Sequence, residues 1–414
     1  MGWALNFILR GASAVNPEGI TEKDSGPQVP HMRLGLAMRS VVGIAFRAEG
    51  SGKGGCGMSS WVYLVEVRDG ATPKEQAKAV GRLYEAADVA SRISQRELVA
   101  IKVHVGEKGN RTHVRPQVVA ELVRRVKGSR AFPFLTETST LYRGQRGNAI
   151  QHILLAHGHG FSIERVGAPF VMADGLVGNT EMEVEIPGEL HSRVQIAREI
   201  LAADALLVVS HATGHIGTGF GACIKNLGMG LASRAGKMRQ HSSIMPQVDP
   251  QKCQLCGKCR KWCPKGAIEE REESSYILQE ACIGCGQCLA VCRFDAIRYN
   301  WGKESAQLQR SMAEYAMGAL VHKEGKCFFF NVLVDMTKEC DCMPTAQKKI
   351  LPDIGILGST DPVAVDMATL DLTREVGGKD LAALSHPHLD PMVQLRHAER
   401  IGMGSTSYRL KRID

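Results

Sequence analysis

Eight of the thirteen cysteines lie between Cys253 and Cys292, in two copies of one spacing. Cys253, Cys256, Cys259 and Cys263 read C-x2-C-x2-C-x3-C, and Cys282, Cys285, Cys288 and Cys292 repeat it. Three thiolates two residues apart sit on one tight loop and converge on three irons of a 4Fe–4S cubane, so a fourth ligand must come from elsewhere. The chemistry such a group supplies is one-electron transfer. Zinc knuckles also use C-x2-C pairs, but eight ligands with both gap lengths fit them poorly.

The spacing is the ligand run of bacterial two-cluster ferredoxins, in which the last cysteine of each run serves the other cluster. That assigns Cys253, Cys256, Cys259 and Cys292 to cluster 1, and Cys282, Cys285, Cys288 and Cys263 to cluster 2. The copies continue as Cys-Pro-Lys-Gly-Ala-Ile and Cys-Arg-Phe-Asp-Ala-Ile, so the segment is a duplicated unit. Arg293 stands where the pattern has proline, which puts a positive charge near a cluster without removing a ligand. Lys252, Lys258, Arg260, Lys261 and Lys265 surround the first run with no acid among them. They balance an anionic cluster or form a docking face for an acidic electron carrier.

A second set of chemical residues collects where apolar strands end. Lys102 and His104 alternate with Ile101, Val103 and Val105; Thr136, Glu137 and Thr138 close the next strand. His211, Thr213 and His215 follow Val209, and Asp335, Cys340 and Cys342 follow Val334. Open α/β sheets bind ligands beyond the carboxyl ends of their strands, so four such ends predict one site. Its richest part is Ser210–Asn226, read as a glycine-rich turn entering a helix. Gly217, Gly219 and Gly221 let backbone N–H groups approach an anion, with Lys102, His104 and Asn226 beside it. His211, His215 and Lys225 are the candidate catalytic residues. Cys340 and Cys342 form a possible third metal or redox point, with His104, His211, His215 or His241 as further ligands, although one intervening residue is tighter than the usual zinc pair. A disulfide between them would be strained and easily reduced. Cys223 and Cys327 read as small buried hydrophobes.

The elements that position these residues alternate strand and helix. Trp61–Val65, Leu98–Val105, Phe132–Thr136, Ala205–Val209 and Phe328–Val334 read as strands. Thr72-Pro73-Lys74-Glu75 is a capping box opening a helix, a second helix runs from Pro116 to Gly128, and a third carries Ile150, Ile153 and Leu154. Val194–Ala203 reads as helical, and Asp361-Pro362 caps a helix through Leu372. The fold class is α/β: a mostly parallel sheet, in parts 58–245 and 301–414, interrupted by a small α+β ferredoxin-like two-cluster insert over 246–300.

Composition bounds the rest. No apolar run reaches the roughly 18–20 residues of a membrane span, and a net charge of +8 is too mild for a nucleic-acid stripe. Free thiols and the lack of a secretion signal point to the cytoplasm. Residues 1–57 are glycine-rich without a sustained period. They read as a disordered extension or as mis-annotated upstream sequence, because Lys53-Gly54-Gly55 can be encoded by a ribosome-binding sequence shortly before Met58.

These stretches together resemble the domain-of-unknown-function family DUF362 in its iron–sulfur-containing form. The resemblance rests on Lys102–Glu107, His211–His215, Gly219-Phe220-Gly221, Lys225–Gly230, Asp335–Lys338, Cys340-Asp341-Cys342, Pro352–Gly355 and Asp361–Asp366, and covers roughly residues 60–385. It implies an α/β domain with an inserted two-cluster ferredoxin and lends no established substrate.

The function expected is that of an iron–sulfur protein with two 4Fe–4S clusters, passing electrons to a substrate or cofactor site in the α/β domain. The alternatives are an electron carrier with no chemistry of its own and a metal-cofactor maturation factor. The partner expected is a redox protein such as an acidic ferredoxin or a reductase.

Overall fold

The structure is a computed structural model describing residues 60–142, 144–241, 245–282, 284–299 and 304–414. The expectation for residues 1–57 lies outside the described residues.

Eight strands form the main sheet: β1 (Ser60–Glu66), β2 (Leu98–Lys102), β3 (Phe132–Glu137), β4 (Phe170–Met172), β5 (Ala205–His211), β6 (Cys327–Leu333), β7 (Gly355–Ser359) and β8 (Tyr408–Arg412). Their order across the sheet is β8-β1-β7-β6-β5-β2-β3-β4. Seven share one direction and β7 alone opposes them. The fold is α/β with a mostly parallel sheet.

Both faces are covered, which explains the unbroken apolar runs of the central strands. Leu206 and Val208 of β5 enter one core, with Phe329 of β6 and Tyr315. Leu207 and Val209 enter the other, with Phe328, Phe330 and Leu122. From β2 the chain steps outward through β3 to β4, and β5 then returns to the other side of β2. The strand order therefore reverses between β2 and β5, where an open sheet leaves a crevice at the carboxyl ends.

Local signals are obeyed at several helix starts. Thr72 and Glu75 form the reciprocal capping box of the helix Pro73–Ala86, and the next helix, Pro116–Gly128, begins at its proline. Asp361 Oδ1 accepts from the amides of Val363 and Ala364 at 2.8 and 2.9 Å, opening a helix that runs on to Gly377.

Three expectations need correction. Arg193–Ala197 is a strand paired with Glu181–Glu185, followed by a helix of only five residues, Arg198–Ala202. Val194 and Ile196 stand two apart, the strand period, whereas Ala197, Ile200 and Leu201 keep the helical one. Packing decides between them, because Gly318 lies so close that a Cβ there would meet Val194 Cγ2 at 2.3 Å. The helix Ala149–Gly158 forms, but Ile150 and Leu154 are 61% and 66% exposed while His152, Leu155 and Ala156 face inward. The glycine-rich stretch is not a turn entering a helix. Thr213–His215 and Gly219–Gly221 pair as an antiparallel hairpin before the helix Cys223–Gly228. Gly214 is required there, since a Cβ would stand 2.0 Å from Lys338 O.

The cysteine-rich segment builds two small antiparallel pairs, Gln247–Val248 with Ile297–Arg298 and Ile268–Glu270 with Ser275–Ile277. Its own core gathers Ile268, Ile277, Leu289 and Ile297. It packs on the helix Arg234–His241. Arg234 Nη1 donates to Ala290 O at 3.0 Å, Arg239 Nε donates to Gly284 O at 3.3 Å, and Gly286 lies against Ala235.

Candidate iron–sulfur and strand-end sites

Each predicted cluster ligand set lines its own cavity. One cavity is bordered by Cys263, Cys282, Cys285 and Cys288, with Pro246, Ile268 and Ile277. The other is bordered by Cys253, Cys256, Cys259 and Cys292, with Phe294 and Ile297. The two sets are crossed: Cys263 joins the second run and Cys292 the first. Backbone amides already point at sulfur in equivalent places, Ala267 N to Cys263 Sγ at 3.3 Å and Ala296 N to Cys292 Sγ at 3.4 Å. Ser275 N reaches Cys253 Sγ and Gly284 N reaches Cys282 Sγ, both at 3.4 Å. Such N–H groups stabilise negative charge on thiolate sulfur and tune a bound centre. Four thiols, an apolar wall and amide donors fit a cubane cluster. Among the described residues no three His, Cys, Asp or Glu side chains are drawn together around a single ion. A cubane's ligands stand farther apart than those of one ion, so the two statements agree.

The reversal point between β2 and β5 opens into a cavity of about 670 Å³. Its lining includes His104 beyond β2, Glu137 and Thr138 at the end of β3, His211 at the end of β5, and Thr213 and His215 after it. Lys225 and Asn226 come from the helix Cys223–Gly228, and Cys340 and Cys342 from the loop after β6. Gly217, Gly221 and His241 also line it.

Lys102 and Gly219 do not line this cavity. Lys102 is wholly buried behind it, donating to Val103 O and to Asn226 Oδ1 at 2.7 Å, with Glu137 Oε1 at 3.6 Å. Burial pushes its pKa down to about 8, against the pull of Glu137. The amides at the start of the helix Cys223–Gly228 are already used. Asp366 Oδ1 accepts from Cys223 N at 2.8 Å and Oδ2 from Ile224 N at 2.9 Å, so a carboxylate of the protein holds the place expected for a ligand's anion.

The histidines differ in state. His211 donates from Nδ1 to Asp341 Oδ2 and from Nε2 to Val334 O, each at 2.8 Å. Two acceptors require both ring protons. Although burial opposes it, the Asp341 charge raises the pKa of His211. A ring so engaged positions Asp341 and the Cys340–Cys342 loop instead of exchanging protons with a ligand. His215 is the opposite case. Its Nδ1 lies 2.8 Å from Thr218 Oγ1 and accepts from the Gly217 amide at 3.3 Å. Burial, and then Lys225, push its pKa well below the usual imidazole value. Lys225 makes no hydrogen bond within the described residues, and its stem lies over Gly221, where a Cβ would meet Lys225 Cδ at 2.5 Å. Burial opposes it, but the neighbouring Cys340–Asp341–Cys342 loop raises its pKa.

Tyr142, Arg146 and Lys237, not singled out from sequence, complete the wall. Arg146 approaches Glu107 at 3.4 Å and Glu137 at 3.5 Å, and donates to Tyr142 Oη. Lys237 donates to Thr138 Oγ1, to Ser139 O at 2.8 Å and to Ala232 O at 2.9 Å, and burial lowers its pKa to about 7. Their segments lie outside strand ends, which is why a strand-end search passes over them. Lys237 sits on the helix Arg234–His241, so one helix borders the cavity and carries the insert.

The fold and these sites define an α/β protein with a ferredoxin-type cysteine insert. The chain belongs to the family described as Domain of unknown function (DUF362), whose model matches residues 99–371. It is similar to an uncharacterized ferredoxin of Methanocaldococcus jannaschii, 34% identical over 80 residues, which is 19% of this chain and 46% of that protein. It is also similar to pyruvate synthase subunit PorD of Methanothermobacter marburgensis, 33% identical over 78 residues, covering 19% of this chain and 89% of that subunit. These ferredoxin-type relatives point to 4Fe–4S iron–sulfur clusters. Among solved structures, the lactate racemase apoprotein of Thermoanaerobacterium thermosaccharolyticum aligns with a TM-score of 0.34 and 13% identity, over 65% of this chain and 50% of that one. The chain thus spans about half the length of the first relative in each comparison.

Proposed function

We propose that this protein is an iron–sulfur oxidoreductase whose redox centres lie in the insert and whose substrate lies in the strand-end cavity. Cys253, Cys256, Cys259 and Cys292 would hold one cluster and Cys263, Cys282, Cys285 and Cys288 the other. When bound, two 4Fe–4S clusters supply one-electron transfer. The observation that carries the reading is the helix Arg234–His241, which packs against the Cys282–Cys288 motif and borders the cavity through Lys237 and His241.

The chain's own residues then have distinct tasks. Lys225, without a hydrogen-bond partner among the described residues, holds an anionic group of the substrate. His215 lines the cavity as a neutral ring that can hydrogen-bond a substrate group. Ile216, Leu308 and Met343 give the lining an apolar side that excludes water. His211 holds Asp341 and so the loop bearing the thiols. The outer motif carries exposed Lys252, Arg260 and Lys261 beside Trp262, which is 52% exposed, a surface suited to an acidic redox partner. A cytoplasmic protein that binds neither nucleic acid nor membrane fits the composition; among the described residues no helix is long and apolar enough to cross a membrane.

Potentiometric EPR on anaerobically isolated protein tests the reading. The expected result is about eight irons per chain and two reducible centres. Iron that never changes oxidation state within the range of biological donors would overturn it. A protein with reducible clusters but an unreactive cavity would be a carrier.

A further inference from the structure

The cavity contains a pair of thiols that the reading above does not use. We propose that Cys342 and Cys340 form a redox dithiol that reduces a small organic disulfide bearing a carboxylate or phosphate, with Cys342 as the attacking sulfur. The inference rests on the cavity being the substrate site and adds the class of substrate.

Both thiols line the cavity, one residue apart in the chain. The residue between them is fixed: Asp341 accepts from His211 at 2.8 Å and from Thr112 Oγ1 at 3.1 Å, and its carbonyl accepts from Glu107 N at 2.9 Å. The loop that carries both sulfurs is thus held in place. His104 sets the difference between them. Gly106 N donates to His104 Nδ1 at 3.1 Å, and His104 Nε2 lies 3.3 Å from Cys342 Sγ. Arg146 Nη1 stands 3.0 Å from the same Nε2 and adds positive charge there. Cys342 therefore faces the His104 ring and two cations, Arg146 and Lys225, while Tyr142 completes its surroundings.

The acid strengths follow that geometry. The Cys340 thiol, then His104 and Lys225, hold Cys342 well below the usual thiol range despite burial. Cys340, donating to Cys342 and buried, is pushed up. One thiolate ready to attack and one thiol held in reserve is the asymmetry thiol–disulfide exchange requires.

The step balances as follows. The Cys342 thiolate attacks one sulfur of the substrate, an S–S bond forms on Cys342, and the first substrate thiolate leaves. That thiolate takes the proton of Cys340. Cys340 then attacks Cys342 Sγ and expels the second thiolate, which is protonated from water. Two electrons have moved from the dithiol to the substrate, giving two thiols and a Cys340–Cys342 disulfide. Regeneration needs two electrons and two protons from an external dithiol or one-electron donor. A ring closed over a single intervening residue is strained and therefore readily reduced.

The test uses the full chain, isolated anaerobically, reduced with dithiothreitol and desalted. The probes are dithiobis(nitrobenzoate), a dicarboxylate disulfide, and neutral dithiodipyridine. The expected result is a fast phase that releases both nitrothiophenolates and leaves a disulfide mapped to Cys340 and Cys342. Cys342→Ser should slow that phase on the order of a hundredfold, Cys340→Ser should stop at a mixed disulfide on Cys342, and Lys225→Met should slow the dicarboxylate more than the neutral probe. Retained cluster absorbance shows that each variant is folded. An unchanged fast phase in Cys342→Ser, an adduct on Cys340, or a non-iron metal held by the parent and lost from Cys342→Ser would overturn the proposal. Because the dithiol is reduced chemically, failure here leaves the oxidoreductase reading standing. Exchange without reducible clusters would sink that reading alone.

Discussion

Asp366 Oδ1 accepts the amide proton of Cys223 at 2.8 Å, joining the helix Pro362–Gly377 to the short helix that carries Lys225. Its other oxygen takes Ile224 N, and Asn331 Nδ2 donates to Oδ1 at 2.7 Å. A six-residue helix has little stability of its own, so this carboxylate fixes where Lys225 stands. Asp366→Asn puts an amide donor against a backbone donor and should cost about 2–3 kcal/mol, read from denaturant unfolding.

The same carboxyl gives a pH dependence with a definite sign. Burial raises its pKa from 3.8 to about 6, although its three donors oppose the shift. A folded pKa above the unfolded one means the native state binds more protons between those values. The contribution is full below pH 3.8 and is lost as pH rises through 6. Between pH 5 and 7 the parent should lose about 1 kcal/mol from this group. Asp366→Asn should lack that slope in unfolding measured at the two pH values.

The crossed ligand sets predict which cysteines behave alike. Cys263→Ser should abolish the same EPR signal as Cys282→Ser, although Cys263 lies in the other run. Cys292→Ser should match Cys253→Ser. Pairing by run, with Cys263→Ser matching Cys253→Ser, would refute the crossing.

The outer motif predicts a salt-sensitive encounter. Reversing Lys261 and Arg260 to Glu should slow reduction by an acidic ferredoxin about tenfold or more at low ionic strength, with a smaller difference at high salt. Stopped-flow reduction at two salt concentrations measures it. Arg260 also pairs with Glu270 at 3.2 Å, but both are exposed, so stability should change by less than about 1 kcal/mol.

The cluster ligands were legible because a cubane dictates residue type and local spacing together. The strand ends were legible for a related reason: apolar runs locate the sheet, and polar residues just beyond them stand near the crevice, although Asp335 turns instead to Arg115. What sequence could not reveal depended on distant partners. Asp366 occupies a helix start 143 residues away, and only the packing of two helices reveals that the start is taken. Val194 and Ile196 keep the strand period while Ala197, Ile200 and Leu201 keep the helical one, and the boundary is set by packing against Gly318. His211 and His215 look equivalent in sequence, yet one meets two acceptors and the other a hydroxyl already committed to Phe220 O.

Arg146 and Arg124 separate a buried charge from a surface one. Arg146 is almost wholly buried between Glu107 and Glu137, whereas Arg124 pairs with Glu121 at 2.6 Å while mostly exposed. Water already solvates Arg124, so its closer contact is worth less than about 1 kcal/mol. Removing Arg146 instead strands two buried carboxylates, one of which also holds Lys102 and His152. Arg146→Ala should therefore cost about 3–5 kcal/mol. Arg146→Lys should recover only part of that, because an ammonium cannot span both carboxylates and Tyr142 Oη as the planar fork does. Thermal unfolding of the three variants gives the ranking. An Arg124→Ala loss equal to that of Arg146→Ala would show that burial is not what makes Arg146 matter.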